Sequence, residues 1–184
     1  MHNGHDRPFF SWIRELSVYK PFQSSTGITE YQEEKQFGIE LVLRLLAARK
    51  HPYPTGQDVH DYLDEATLAL VRDKTLQREA EGRQFRETFD LIGESLGELA
   101  FRRWNGSKFI GKFLLSVFEV VAVGVSKNLS KLKKLAPARQ KTFITERSKK
   151  LWDDPTFEKY SGAGVRGSDR LGNLLPLAAK FLEP

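Results

Sequence analysis

Cysteine is absent from the 184 residues of this chain. Without thiols the chain forms no disulfides and offers no thiolate as a nucleophile or metal ligand, and nothing points to an oxidising compartment. The first eight residues, Met1 to Pro8, lack both the basic start and the continuous apolar stretch of a secretory signal. These absences make the cytoplasm the expected location.

Long hydrophobic runs are also missing. The most apolar segment, Phe113 to Val125, is interrupted by Glu119 and is shorter than the ~20 apolar residues that span a bilayer. We therefore expect a buried helix in this segment and no membrane contact.

The sequence contains none of the common catalytic motifs. It has no His-Glu-x-x-His pair, no Gly-x-Ser-x-Gly elbow and no phosphate loop ending in Lys-Ser or Lys-Thr. His2, His5 and Asp6 are metal-ligand types at helical spacing, but a chain end is expected to fray. We expect no catalytic residue, metal or cofactor on this chain, and an enzyme acting alone remains a third hypothesis that an assay of NTP hydrolysis would test.

Apolar residues instead recur at helical spacing along most of the chain. Phe9, Trp12, Ile13 and Leu16 have offsets of 0, 3, 4 and 7, which is typical of a helix with one buried face. Residues 23–27 are predicted to form a loop. Further helices are predicted over 37–46 (after a Thr29/Gln32 capping pair), 58–71 (capped by Asp58), 76–99, 109–129, 135–152 and 169–182 (capped by Ser168 and kinked at Pro176). The pattern predicts a single all-α domain over residues 1–184, with six or seven helices.

Positive charge is concentrated between Ser126 and Lys150, which we call the basic stripe. It carries nine lysines and arginines and one glutamate, whereas the whole chain has a net charge of +5. The stripe could neutralise nucleic-acid phosphates without reading sequence, or it could be a solvated helix face with few aromatics for base stacking. The candidate contact residues are Lys127, Lys131, Lys133, Lys134, Lys141, Lys149 and Lys150.

A second candidate site is the glycine-rich segment from Gly162 to Arg170. Gly162 and Gly164 precede a predicted helix, and Arg166 and Arg170 follow them. Backbone amides at a helix start and paired guanidinium groups are suited to an anion, so the segment is a candidate anion site. A plain flexible connector is the alternative.

Six segments in chain order resemble one bacterial family. They are Phe9–Leu16, Glu40–Ala47, Val59–Asp64, Arg86–Phe89, Phe113–Glu119 and Gly162–Arg170. Together they resemble the C-terminal helical half of the uncharacterised ParB-like domain found at the N-terminus of GmrSD-type, modification-dependent restriction and phage-defence proteins. The resemblance spans nearly the whole chain.

Several motifs of that family are absent here, namely its Asp-Gly-Gln-Arg-type nucleotide motif, its Gln-Glu-x-Arg-Asn motif and the HNH-type nuclease domain of some members. The resemblance therefore implies the back half of a larger two-part domain, which docks on a ParB-like partner domain or subunit. The first hypothesis is a helical accessory or fragment module of such a defence system, with a platform and a basic surface for DNA or partner contact. The alternative is a free-standing helical protein-interaction module with no nucleic-acid role.

Overall fold

A computed structural model describes residues 7–29 and 36–184. Within these ranges the chain is mostly helical, as predicted, but it forms nine α-helices and not six or seven. They are α1 Arg7–Ser17, α2 Lys20–Thr26, α3 Phe37–Lys50, α4 Val59–Arg72, α5 Arg78–Leu96, α6 Leu115–Leu132, α7 Pro137–Lys150, α8 Pro155–Ser161 and α9 Gly167–Phe181. Two short 3₁₀ turns, Gly97–Leu99 and Leu151–Asp153, and two short strands, β1 Arg103–Trp104 and β2 Phe109–Ile110, complete these ranges.

The N-terminal segment confirms one prediction and corrects another. Phe9, Ile13 and Leu16 of α1 are buried, as their spacing predicts. The loop predicted over residues 23–27 is wrong, because these residues belong to α2 and to its left-handed cap. The hydroxyls of Ser25 and Thr26 donate to helix carbonyls four residues earlier, at 2.7 and 2.8 Å, so their polar groups are satisfied inside a helix. His2, His5 and the Gln32 member of the predicted capping pair lie outside the described residues.

The predicted cap of α4 is confirmed. The carboxylate of Asp58 accepts from the amides of His60 at 2.8 Å and Asp61 at 3.4 Å, which satisfies amides that the first helical turn leaves without partners. The next helix, α5, begins at Arg78 and packs against α2, α6 and α7.

Helix α6 is the central element, and it is buried on nearly all sides. It packs most extensively against α9, and Gly124 marks the closest approach of the two helices. A Cβ at Gly124 would lie 2.5 Å from the carbonyl oxygen of Ala178, so only glycine fits. The Asn128 amide then bridges the helices by donating to the carbonyls of Gly124 at 3.0 Å and Ala179 at 2.8 Å.

The predicted helix over residues 109–129 begins too early. Phe109 and Ile110 form β2, which pairs antiparallel with β1, and α6 starts only at Leu115. At the other end of the chain, an unpredicted helix, α8, follows Asp154, whose carboxylate accepts from two amides of its first turn. Pro176 lies inside α9, as predicted, but Ser168 is not its cap, since the helix begins at Gly167.

Among the described residues, no helix combines the length and the apolarity needed to cross a bilayer.

Candidate nucleic-acid interface

Four lysines of the basic stripe form ion pairs with carboxylates of this chain. The pairs are Lys131 with Glu183, Lys133 with Glu87 at 3.0 Å, Lys141 with Glu94 at 3.2 Å, and Lys149 with Glu146 at 2.8 Å. Hydrogen bonds from Lys149 and Lys131 lower the pKa values of Glu146 and Glu183. The side chains of these pairs are 31–58% exposed to solvent, and ion pairs at the surface contribute little to stability.

The other three predicted lysines, Lys127, Lys134 and Lys150, have no ion pair with any residue of the described ranges. Partial burial, reinforced by the nearby Arg49 guanidinium, lowers the pKa of Lys127. The stripe is therefore not one uniform surface, because its lysines face different neighbours: the C-terminal segment, α5 and the β-hairpin.

The two arginines of the Gly162–Arg170 segment do not share a partner in the structure. Arg170 lies against Glu119 of α6, with Nε and Nη2 donating to the two carboxylate oxygens at 2.8 and 3.3 Å. Arg44 of α3 approaches the same carboxylate at 3.6 Å. Arg166 precedes α9 and forms no ion pair with a described residue, so the anion prediction for this segment depends on Arg166 and the loop glycines.

Glu119 has only 4% of its side chain exposed. Burial raises the pKa of this carboxyl group, while the positive charges of Arg170 and Arg44 act in the opposite direction. Two guanidinium groups on one buried carboxylate tie α3 and α9 to α6. Such an arrangement is typical of a structural ion-pair network. The guanidinium of Arg170 is therefore already paired within the protein.

A β-hairpin between α5 and α6 carries the cations that sequence reasoning missed. From Ala100 to Leu114 the chain has four cations and no carboxylate. They are Arg102, Arg103, Lys108 and Lys112. None of the four forms an ion pair with a described residue. The hairpin thus combines four unpaired cations with the absence of any carboxylate over 15 consecutive residues.

The hairpin turn is held by its own polar groups. The side chain of Asn105 accepts from the amides of Ser107 at 3.0 Å and Lys108 at 2.9 Å, and Gly106 adopts a φ of 94° that favours glycine. The amide of Asn105 donates to the Lys108 carbonyl at 3.2 Å. Gly106 and Ser107 are therefore the central residues of a tight hairpin turn, with glycine at the first central position, so Lys108 is presented on a fixed loop.

Aromatic rings lie between these cations. Trp104 and Phe109 are cross-strand partners, half-buried, with ring centroids 5.0 Å apart. The Lys149 ammonium lies 5.1 Å from the Trp104 ring centre, and the Arg103 guanidinium lies 5.8 Å from the ring centre of Trp152. These two contacts place the end of the basic stripe beside the hairpin. We call Arg103, Trp104, Lys108, Phe109 and Lys149 the hairpin surface.

The chemistry of the hairpin surface is that of a binding surface. Cations neutralise phosphates, and half-exposed rings stack on bases. Within residues 7–29 and 36–184, no three histidine, aspartate or glutamate side chains lie together as a metal site would require. The signal that could have revealed the surface is the sequence Arg-Arg-Trp-Asn-Gly-Ser-Lys-Phe, in which cations alternate with aromatic residues around a turn.

Comparison of the chain with protein-family models, with curated proteins and with solved structures found no match.

Proposed function

We propose that this chain is a helical accessory module of a GmrSD-like restriction or anti-phage defence protein and that it contacts DNA through the hairpin surface. The module would supply a binding platform, while a ParB-like partner domain or subunit would supply the chemistry. The observation that carries the DNA contact is the position of Lys149 over Trp104, which joins the basic stripe to the carboxylate-free hairpin.

The rings of the hairpin surface favour single-stranded DNA over duplex. A duplex hides the faces of its bases, so Trp104 and Phe109 could stack only on an unpaired strand. The cations would hold the phosphates of that strand, and phosphate contacts carry no sequence information. We therefore expect binding that depends strongly on salt and little on sequence.

Fluorescence anisotropy with a labelled single-stranded oligonucleotide at low salt tests this proposal. The double variant Arg103→Glu/Lys108→Glu should bind at least ten-fold more weakly than the wild type. Trp104→Ala should also weaken binding, since stacking contributes ~1–3 kcal/mol per base. Lys74→Glu is the control, because Lys74 is exposed and lies between α4 and α5, outside the hairpin surface. Equal affinities of the wild type and the double variant would refute the proposal.

A protein-interaction module with no nucleic-acid role is the second candidate. It is favoured by the four stripe lysines that already form ion pairs with carboxylates of the chain. In that case the stripe is a solvated face, and neither single-stranded nor duplex DNA should bind even at low salt.

A further inference from the structure

A cleft with a volume of about 460 Å³ lies between the end of α3, the loop after it, α6 and α9. Three cations line it: Arg49 and Lys50 from the last turn of α3, and Lys127 from α6. No carboxylate occurs among the described residues that line the cleft. The cleft is separate from the hairpin surface, with which it shares no residue.

Two of the three cations share a carboxylate behind the cleft. Glu81 of α5 lies 2.9 Å from Arg49 and 2.5 Å from Lys50, and its side chain is 10% exposed. Arg49 also donates to the side-chain oxygen of Gln84, whose amide donates to the Ser126 carbonyl at 2.8 Å. The Arg49 side chain is only 7% exposed and is therefore fixed in place by its neighbours.

Lys127 is the cation left without a counter-charge. It follows Ser126 directly on α6, so the network that fixes Arg49 also fixes the backbone from which Lys127 projects. Burial, followed by repulsion from Arg49, lowers the pKa of Lys127. Both causes disfavour the ammonium form, and an anion placed against Lys127 would relieve the repulsion. The cleft therefore has an excess of positive charge, which favours a negatively charged ligand.

The opposite wall of the cleft is largely apolar and comes from α9 and the loop after α3. Tyr53, Leu171, Leu175, Pro176 and Ala179 form it. Because Pro176 has no amide hydrogen, it cannot donate to the carbonyl of Gly172, which also lines the cleft. The wall thus combines apolar surface with a backbone acceptor that lacks its usual helical donor.

We propose that this cleft binds a small organic phosphate. The phosphate lies against Lys127, the apolar body of the ligand lies against Tyr53 and Leu175, and a ligand hydroxyl or amine donates to the Gly172 carbonyl. The volume of the cleft falls in the ~300–1,000 Å³ range of small-molecule sites. The proposal is independent of DNA binding, since it requires no residue of the hairpin surface.

Isothermal titration calorimetry of the full chain in a phosphate-free buffer at low salt tests this site with three probes. Phenyl phosphate should bind saturably with one site per chain. Inorganic phosphate should bind more weakly because it makes no contact with the apolar wall, and phenol should show no saturable binding because it lacks the anion. No saturable binding of phenyl phosphate, or equal affinities for phenyl phosphate and phenol or inorganic phosphate, would overturn the proposal.

Lys127→Met supplies the residue test, and Lys134→Met is its matched control. Both variants remove one lysine charge near the same end of α6, but Lys134 does not line the cleft. Lys127→Met should weaken phenyl phosphate binding at least ten-fold, and Lys134→Met should leave it unchanged. Because neither Lys127 nor Lys134 forms an ion pair with a described residue, both variants should melt at the wild-type temperature. Equal weakening in the two variants would show nonspecific attraction to net charge and would contradict the site. The hairpin variant Arg103→Glu/Lys108→Glu separates this proposal from DNA binding, because it should bind phenyl phosphate like the wild type even if it no longer binds DNA.

Discussion

At the α6–α9 interface, Arg170 lies against the buried carboxylate of Glu119, whereas Arg103 and Lys108 lie on a hairpin that has no carboxylate at all. Arg170 follows a glycine-rich loop, and Arg103 and Lys108 lie on either side of the turn at Gly106. The difference is the partner that the fold supplies. A cation that the fold has paired in its interior stabilises the structure, and a cation left unpaired at the surface is available to a ligand.

Removing the buried carboxylate gives the largest expected effect. Glu119→Gln keeps the side-chain volume but removes the buried carboxylate shared by Arg44, 10% exposed, and Arg170, 21% exposed. Breaking a pair with a buried partner in this way costs about 3 kcal/mol or more. The free energy of unfolding from urea titration measures the loss.

Glu40→Gln is the control for that variant. Glu40 also pairs with Arg44, at 2.7 Å, but its side chain is 46% exposed, so the loss should stay below about 1 kcal/mol. Equal losses in the two variants would mean that burial does not separate the two kinds of ion pair.

The close packing of α6 on α9 gives the next largest effect. Gly124→Ala would place a methyl group 2.5 Å from the Ala178 carbonyl oxygen, so the helices must move apart. We expect a loss of about 2 kcal/mol in the free energy of unfolding.

Gly93→Ala is the matched control on α5. Its new methyl group would meet Ser25 at 3.6 Å and Pro21 at 3.9 Å, which are ordinary contacts. This change should be neutral or should stabilise by up to ~1 kcal/mol, because alanine favours a helix over glycine. A Gly124→Ala protein as stable as Gly93→Ala would contradict the account of the α6–α9 interface.

The exposed ion pairs of the basic stripe give the smallest effect on stability. Lys133 pairs with Glu87, and Lys141 with Glu94, in contacts where every side chain is more than a third exposed. Lys133→Met and Lys141→Met should each change the free energy of unfolding by less than about 0.5 kcal/mol. A loss above 2 kcal/mol in thermal or urea unfolding would show that these pairs belong with the buried ones.

Residue spacing was enough to predict the main helices. Phe9, Ile13 and Leu16 and the Asp58 cap behave as their local pattern predicts, because amphipathic spacing and capping are properties of a few neighbouring residues. The helix over residues 20–26 was missed because serine and threonine, which favour turns, instead bond to carbonyls one turn back.

The pairing of charges could not be predicted in the same way. Arg170 and Glu119 are 51 positions apart in the sequence. Lys131 and Glu183 are separated by 52 positions, and Lys133 and Glu87 by 46, so only the fold brings these partners together. The hairpin surface depends on Lys149 reaching Trp104, a contact that no local pattern contains. Of the predicted lysines, Lys149 is the one that this surface includes, and because it already pairs with Glu146 its role is to hold Trp104, while the unpaired Arg103 and Lys108 are available to a ligand.

The salt dependence of single-stranded DNA binding tests the contrast between unpaired and paired cations most directly. Lys108→Met and Lys133→Met each remove one exposed lysine, but Lys108 is unpaired on the hairpin surface and Lys133 is paired with Glu87. Anisotropy titrations over a range of salt concentrations give the slope of log affinity against log salt. The magnitude of this slope should decrease by about 0.7 for Lys108→Met, because one phosphate contact is lost. It should stay at the wild-type value for Lys133→Met. Equal slopes for the two variants would contradict the account.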